Sequence, residues 1–206
     1  EALKSIVAYH KSEENYRTAI PYLNRMAELS DDYVVKSALF YELGNLYNLT
    51  GEYELASKTF KDVVQYESEP DIEFKSYIEL VKIYKRNGET EQASELLSEL
   101  RSLNRYNPYY DNILLEEGYI FLEKGLAEDA FKNFKVIDSL YALSPSAPKA
   151  RLRLAGLFDQ KYNNYDSALA YYDKALGGQN LTFEERNEAA RKKSGLAKYF
   201  EVEKQI

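Results

Sequence analysis

The sequence predicts an all-α fold of antiparallel helix pairs, and three observations predict it. The first is a period. Ala19, Ala56, Ala93, Ala130 and Ala168 are separated by 37, 37, 37 and 38 residues. The second is that apolar residues inside each period recur at helical spacing. The third is that each period holds a turn-forming residue at one fixed place. Self-similarity at this length marks an array of supersecondary units, each too small to bury its apolar faces alone.

The columns define the elements in order. Phe40, Leu43, Gly44 and Tyr47 form the apolar stripe of a first helix, at steps of 3, 1 and 3. Ala56, Phe60 and Val63 do the same for a second helix. Four residues after each alanine come Leu23, Phe60, Leu97, Phe134 and Tyr172, and seven after come Met26, Val63, Leu100, Ile137 and Ala175. An aromatic column (His10, Tyr47, Tyr84, Phe121, Phe158) closes the first helix. Gly51, Gly88 and Gly125 then stop it, since glycine readily takes the left-handed conformation after a helix; Asn163 and Glu14 hold that place in the last and first copies. The extra residue of the last copy falls between Phe158 and Asn163, in the turn. Asn107-Pro108 and Ser144-Pro145 lie 37 apart and read as an N-cap followed by proline at the first helical position. First helices then run about 17 residues, roughly 25 Å.

These columns give repeats at 1–33, 34–70, 71–107, 108–144 and 145–178, read as one domain over the whole chain. Beyond Ala175 the pattern changes. Gly177-Gly178 makes a loop, Thr182 and Glu185 form a capping box, and a terminal helix is expected over 182–205. It reads either as the first helix of a sixth repeat or as a cap, and its charged 184–193 stretch suits the end of a stack.

Composition bounds the function. The chain has 206 residues, 45% hydrophobic and 30% charged, with a formal net charge of -7. That balance disfavours a general nucleic-acid binder. Cysteine is absent, which excludes disulfides, thiolate metal sites and thiol nucleophiles. No apolar run is long enough to span a membrane as a helix. The chain opens at Glu1, already in a helical pattern, and reads as a piece of a longer protein or a mature form.

Catalytic and cofactor chemistry finds no footing in the motifs. The lone histidine, His10, sits in the aromatic packing column, and no second histidine supports a metal site. No phosphate loop or nucleophile elbow occurs. Pairs such as Asp31-Asp32 and Glu116-Glu117 read as solvated faces or caps, and Glu117 is the one carboxylate in an otherwise apolar column. No enzyme activity, metal or cofactor is expected.

At Phe40-x2-Leu43-Gly44-x2-Tyr47 and Ala56-x3-Phe60 the sequence resembles the tetratricopeptide repeat, and the aligned columns extend the resemblance over about residues 1–176. It departs from the family in three ways. Its period is 37 rather than 34. Its tryptophan column reads Leu3, Phe40, Tyr77, Leu114 and Arg151, and the proline closing the second helix is missing. The long repeat is similar to that of bacterial envelope-assembly and division-associated members. The resemblance implies a right-handed superhelix with first helices lining a concave, partner-binding groove. It implies a non-catalytic scaffold for a peptide or protein, or alternatively the accessory or sensor domain of a longer regulatory protein.

Carried onto this sequence, the groove positions are Ala38, Tyr41, Asn45 and Asn48; then Lys75, Ile78, Lys82 and Lys85, with Arg86 beside them; then Asn112, Leu115, Tyr119 and Leu122; then Lys149, Leu152, Gly156 and Asp159. The lane passes from aromatic and amide to basic to apolar, which suits an extended peptide with an acidic stretch. The carboxylate-gripping set of some family members is incomplete here. Asn45 and Lys75 match it, but Glu42 and Glu79 stand where asparagine or arginine is needed. Self-association through the ends of the array is a further expectation.

Overall fold

The structure is a computed structural model that describes residues 1–65 and 68–203. Among the described residues the regular elements are helical. The first four pairs are α1 (Ala2–Ser12) with α2 (Tyr16–Glu28), α3 (Tyr33–Thr50) with α4 (Tyr53–Gln65), α5 (Pro70–Arg86) with α6 (Thr90–Ser102), and α7 (Tyr110–Glu123) with α8 (Ala127–Leu140). Then come α9 (Ala147–Gln160) with α10 (Tyr165–Leu176), and α11 (Phe183–Glu203). The chain forms two compact units, Glu1–Tyr106 and Asn107–Ile206, each holding whole helix pairs.

The alanine column lies inside each pair: Ala19, Ala56, Ala93, Ala130 and Ala168 are all fully buried. The five turns share one geometry. Glu14, Gly51, Gly88, Gly125 and Asn163 all have positive φ, between 50° and 81°. The next amide donates back to the carbonyl of the aromatic column: Asn15 to His10, Glu52 to Tyr47, Glu89 to Tyr84 and Leu126 to Phe121, each at 2.8 Å. These bonds satisfy carbonyls that a helix end otherwise leaves open. In the fifth copy Asn164 reaches Phe158 at 2.9 Å across one more residue, so the insertion is absorbed in the turn.

Within each pair a small residue on the first helix faces a large one on the second. A Cβ at Gly44 would lie 2.6 Å from the Phe60 ring, and one at Gly118 would lie 2.4 Å from Phe134. The same two columns hold Val7 with Leu23, Val81 with Leu97, and Ala155 with Tyr172, all buried. Where one side chain shrinks, its partner grows, which keeps the interior filled at near-constant helix separation.

Two expected helix starts are corrected. Asn107-Pro108 does not begin a helix. Residues Asn104–Tyr109 form a 3-10 helix instead, and α7 starts at Tyr110. The cause is Tyr106, 1% exposed, whose ring packs 5.7 Å from Phe74 and 6.1 Å from Tyr77 and draws the chain inward. Ser144-Pro145 likewise lies in a turn, where Ser144 N–H donates to Tyr141 and Ala147 N–H to Ser144. α9 is instead preceded by Ser146 and carries Pro148 in its first turn. So α7 and α9 have 14 residues, against 18 in α3 and 17 in α5.

Arg151, the anomaly of the tryptophan column, has a partner of its own. Its Nε donates to Asp138 Oδ1 at 2.7 Å and its terminal nitrogen to the Ala142 carbonyl at 3.0 Å. The Tyr171 hydroxyl donates to Asp138 Oδ2 at 3.1 Å. Burial pushes the Asp138 carboxyl up, but the bonds from Arg151 and Tyr171 and the guanidinium charge outweigh it and hold it below its usual value. A depressed carboxyl stabilises the fold above its unfolded pKa, about 3.9, and that contribution is lost as pH falls through the lower folded value. We predict that Arg151→Met costs about 1–3 kcal/mol near pH 7, because the half-buried Asp138 loses its charged hydrogen bond and keeps only Lys135, 3.9 Å away, as a paired cation. The gap to wild type should narrow in urea melts as pH falls through the depressed folded value and Asp138 becomes protonated in both. A gap that does not change with pH would remove the ion pair as the cause.

α11 is the terminal helix expected after the fifth repeat. The capping box forms as expected, with Thr182 N–H donating to Glu185 Oε2 at 2.9 Å and Glu185 N–H to Thr182 Oγ1 at 3.2 Å. One stripe of α11 (Glu185, Arg186, Ala189, Lys192, Lys193, Leu196, Ala197, Phe200) is sheltered, while Glu184, Asn187, Glu188, Arg191, Ser194 and Lys198 face solvent. Phe183, Tyr199 and Val202 are apolar residues of α11 that stay exposed, at 76%, 48% and 58%. The end of the expected span, 204–205, lies outside the described residues.

Candidate functional site

The first-helix positions fall in both units. In the first unit, Asn48 Nδ2 donates to Glu79 Oε2 at 3.2 Å, tying α3 to α5. Lys82 Nζ donates to Glu79 Oε1 at 2.7 Å, and Lys75 Nζ to Asp71 Oδ2 at 2.5 Å. The lysines of the lane are thus neighboured by carboxylates of their own helix, and exposed pairs of this kind are worth under about 1 kcal/mol. Tyr41 lies 5.9 Å from the Phe60 ring, half-buried beside Asn45. Ile78 is 7% exposed and packs into the unit rather than facing out. Lys85 is half-buried. Arg86 leaves the lane, with its guanidinium 4.1 Å over the Tyr53 ring.

In the second unit, Asn112, Leu115 and Lys149 come together along a cleft of about 430 Å³ that also includes Ser146 and Asn180. Leu115 is its buried floor, 5% exposed. Leu122, Leu152 and Gly156 line another cleft, of about 330 Å³. Tyr119 sits under the Arg153 guanidinium at 5.2 Å, and Arg153 approaches Glu185 at 3.7 Å. Burial pushes the Tyr119 phenol up to about 12, outweighing the lowering by Arg153. Asp159 is drawn to α11, where Lys192 Nζ reaches it at 3.2 Å.

His10 and Glu117 are both held by packed neighbours. His10 stacks on Tyr22 at 5.9 Å and meets Tyr9 edge-on at 5.4 Å. Glu117 Oε2 accepts from Asn133 Nδ2 at 3.1 Å, and the same amide also donates to the Leu114 carbonyl. A polar bond between α7 and α8 thus replaces an apolar contact at that column. Glu116, its neighbour, is the more buried carboxylate, 7% exposed.

One apolar feature was missing from the expected lane. A cleft of about 510 Å³ opens in the first unit between α1 and α3, floored by Leu23 and Met26 of α2. Lys4, Ala8 and Lys11 line it from α1, and Val34, Val35, Ala38 and Glu42 from α3. Lys11 Nζ pairs with Glu42 Oε1 across it. It runs into an exposed apolar surface formed by Leu29, Tyr33, Val34 and Val35, between 42% and 61% exposed. A signal existed in the sequence. Stepping Tyr41, Asn45 and Asn48 back by one period gives Lys4, Ala8 and Lys11.

Helix pairs repeating every 37 residues and joined by a common left-handed turn define a helical-repeat protein. Among such proteins the fold is that of the tetratricopeptide repeat, and residues 37–70 match the family model described by that name. The chain is 22% identical to TTC0263, a thermophilic protein of this type from Thermus thermophilus, over 91% of this chain and 95% of that one, with a TM-score of 0.61. A tetratricopeptide repeat protein from Parabacteroides merdae is 18% identical over 97% of this chain and 78% of its own, with a TM-score of 0.60. YrrB, a TPR protein with an unusual peptide-binding site, is 18% identical over 91% and 89%, with a TM-score of 0.51. No curated protein matches the sequence at a significant level. No helix among the described residues is long and apolar enough to cross a membrane.

Proposed function

We propose that the chain is a non-catalytic interaction scaffold that holds a peptide or protein partner on the face of its first helices. The observation that carries this reading is the apolar cleft of about 510 Å³ on that face, continuous with exposed Tyr33, Val34 and Val35. Exposed apolar surface beside a concavity is the usual mark of an interaction site. YrrB, of the same fold, is named for a peptide-binding site, which agrees with this use of the fold. Tyr41, Asn45, Asn48, Lys82 and Lys85 would extend the site in the first unit, and Asn112, Tyr119 and Lys149 in the second. Ile78 and Leu115 support it from beneath. The reading treats the five repeats as one functional domain. Because Lys75 and Lys82 already neighbour carboxylates, apolar contact leads recognition and an acidic stretch in the partner adds to it.

A displayed peptide library panned on the immobilised chain tests this. Enriched peptides should bind Val35→Asp at least about tenfold more weakly, a loss of about 1.4 kcal/mol. Lys82→Glu/Lys85→Glu should deplete acidic sequences from the enriched pool. If wild type and both variants enrich the same peptides with equal affinity, the first-helix face is not the binding surface.

A further inference from the structure

Three helices of the second unit begin at the cleft of about 430 Å³. Asn112 lines it from the first turn of α7, Ser146 and Lys149 from the start of α9, and Thr182 from the residue before α11. A helix N-terminus carries roughly half a positive charge and favours an anion beside it. Two of the three have their own: Asp111 in the first turn of α7, and Glu184 and Glu185 in that of α11. The first turn of α9 has no acidic residue, and none of the residues lining the cleft is a carboxylate.

The start of α9 also leaves its donors open. An N-cap serine is ordinarily extended, and its oxygen accepts from the third helical amide. Ser146 instead has φ -78° and ψ -23°, a helical conformation, and makes no such bond. The Ala147 N–H is taken by the Ser144 carbonyl at 3.2 Å, and Pro148 has no N–H. The Lys149 N–H is left without an acceptor among the described residues. The Ser146 hydroxyl is in the same state. Ser146 is only 2% exposed, yet its side chain bonds no described residue. Burying a hydroxyl without a partner costs free energy that no bond in the fold returns. Orphaned side-chain atoms sealed from solvent include His10 Nδ1 and Ser144 Oγ. The Ser146 oxygen is not sealed, and it opens on the cleft that Ser146 lines. Half-buried Lys149 has no ion pair among the described residues. The other polar walls are occupied: Thr182 is closed on Glu185, and Asn112 Nδ2 lies 3.4 Å from both Asp111 oxygens.

We propose that this cleft binds the side-chain carboxylate of an acidic residue in a partner peptide, held by the Ser146 hydroxyl, the Lys149 N–H and the Lys149 ammonium. One lysine and one helix N-terminus balance roughly a single negative charge, which fits a carboxylate rather than a dianion. Leu115 and Leu181, both buried, give an apolar floor for the residues flanking the acid. The inference rests on the scaffold reading and deepens it by placing the acid-recognising point at α9.

The probe is a synthetic peptide of about six residues, blocked at both ends, whose only charge is one glutamate between two leucines. A second peptide has glutamine in place of the glutamate, and sodium phosphate is the third ligand. Each is titrated into the isotope-labelled full chain and followed by amide chemical shifts, with calorimetric melting of every variant.

The glutamate peptide should shift the Lys149 amide saturably, and the glutamine peptide should bind at least about tenfold more weakly. Lys149→Gln should weaken the glutamate peptide about tenfold and flatten its salt dependence. Ser146→Ala should weaken it at least about threefold without lowering Tm, because the hydroxyl bonds nothing in the fold. A lowered Tm with unchanged binding would make Ser146 a structural residue and overturn the proposal. Equal affinity for the two peptides would assign the donors to neutral carbonyls and also overturn it. Tighter binding of phosphate than of the glutamate peptide at Lys149 would make this a phosphate site, and the proposal falls. Failure of the glutamate peptide to shift Lys149 while library peptides still depend on Val35 would sink this site and leave the scaffold reading standing.

Discussion

Gly44→Val should destabilise the first unit by about 1–3 kcal/mol, the cost of forcing a methyl-bearing carbon into a packed contact. The new Cβ would lie 2.6 Å from the edge of the Phe60 ring, which is itself fully buried and has nowhere to go. Valine's better helix propensity returns only a few tenths of a kcal/mol. For a unit of this size the loss lowers Tm by about 4–8 °C per kcal/mol. The sharper expectation is rescue. Phe60→Leu alone leaves a void and should cost about 1–3 kcal/mol. Gly44→Val with Phe60→Leu installs the pair already present at Val7 with Leu23 and at Val81 with Leu97, so the double variant should be markedly more stable than the two single losses summed. A coupling of about 1–3 kcal/mol is expected, because the residues touch. Additive losses would mean that the two columns do not set helix separation. Gly156→Ala gives the contrast. Its Cβ would meet nothing within 4 Å, so the change should be neutral or stabilising by up to about 1 kcal/mol.

The same two columns show what the sequence makes legible and what it hides. A position whose geometry is imposed by the period is readable even when the residue is wrong for it. Glu14 has no preference for a left-handed conformation, yet its column with Gly51, Gly88 and Gly125 places it there, and its φ is 57°. Positions set by contacts outside the period are not readable. Asn107-Pro108 has the form of a helix start, but burial of Tyr106 one residue earlier imposes a 3-10 helix. Arg151 looks misplaced until Asp138, thirteen residues earlier and in no shared column, is found beside it. The lane of the candidate site was legible as a set of columns, while its depth was not. Ile78 and Leu115 share a column with Tyr41, but only the structure shows them buried. The apolar cleft depends on Val34 and Val35, whose counterparts one period on are Asp71 and Ile72. The Val34 column runs on to Asp71, Pro108 and Pro145, so it keeps no residue class and sends no signal.

Removing α11 should cost the second unit more than any single substitution at its surface. A chain ending after Gly178 loses Leu181, Ala189 and Leu196, which pack in the same core as Ala168 and Tyr172. It also loses Arg186, whose guanidinium donates to the Leu176 carbonyl at 2.9 Å and the Gly178 carbonyl at 2.7 Å, closing the end of α10. Carbonyls at a helix end need such partners or water. Stability in a repeat array is a sum of unit and neighbour terms, so deleting the terminal neighbour removes one whole interface. We expect Tm of the second unit to fall by more than about 10 °C and the truncated chain to self-associate, as core surface becomes exposed. Arg186→Ala separates the two causes. It keeps the helix but opens both charged bonds, and should cost about 1.5–3 kcal/mol without inducing association. Scanning calorimetry and sedimentation velocity on the two variants check this directly. A truncated chain that melts with wild type and stays monomeric would show that α11 covers nothing the second unit needs.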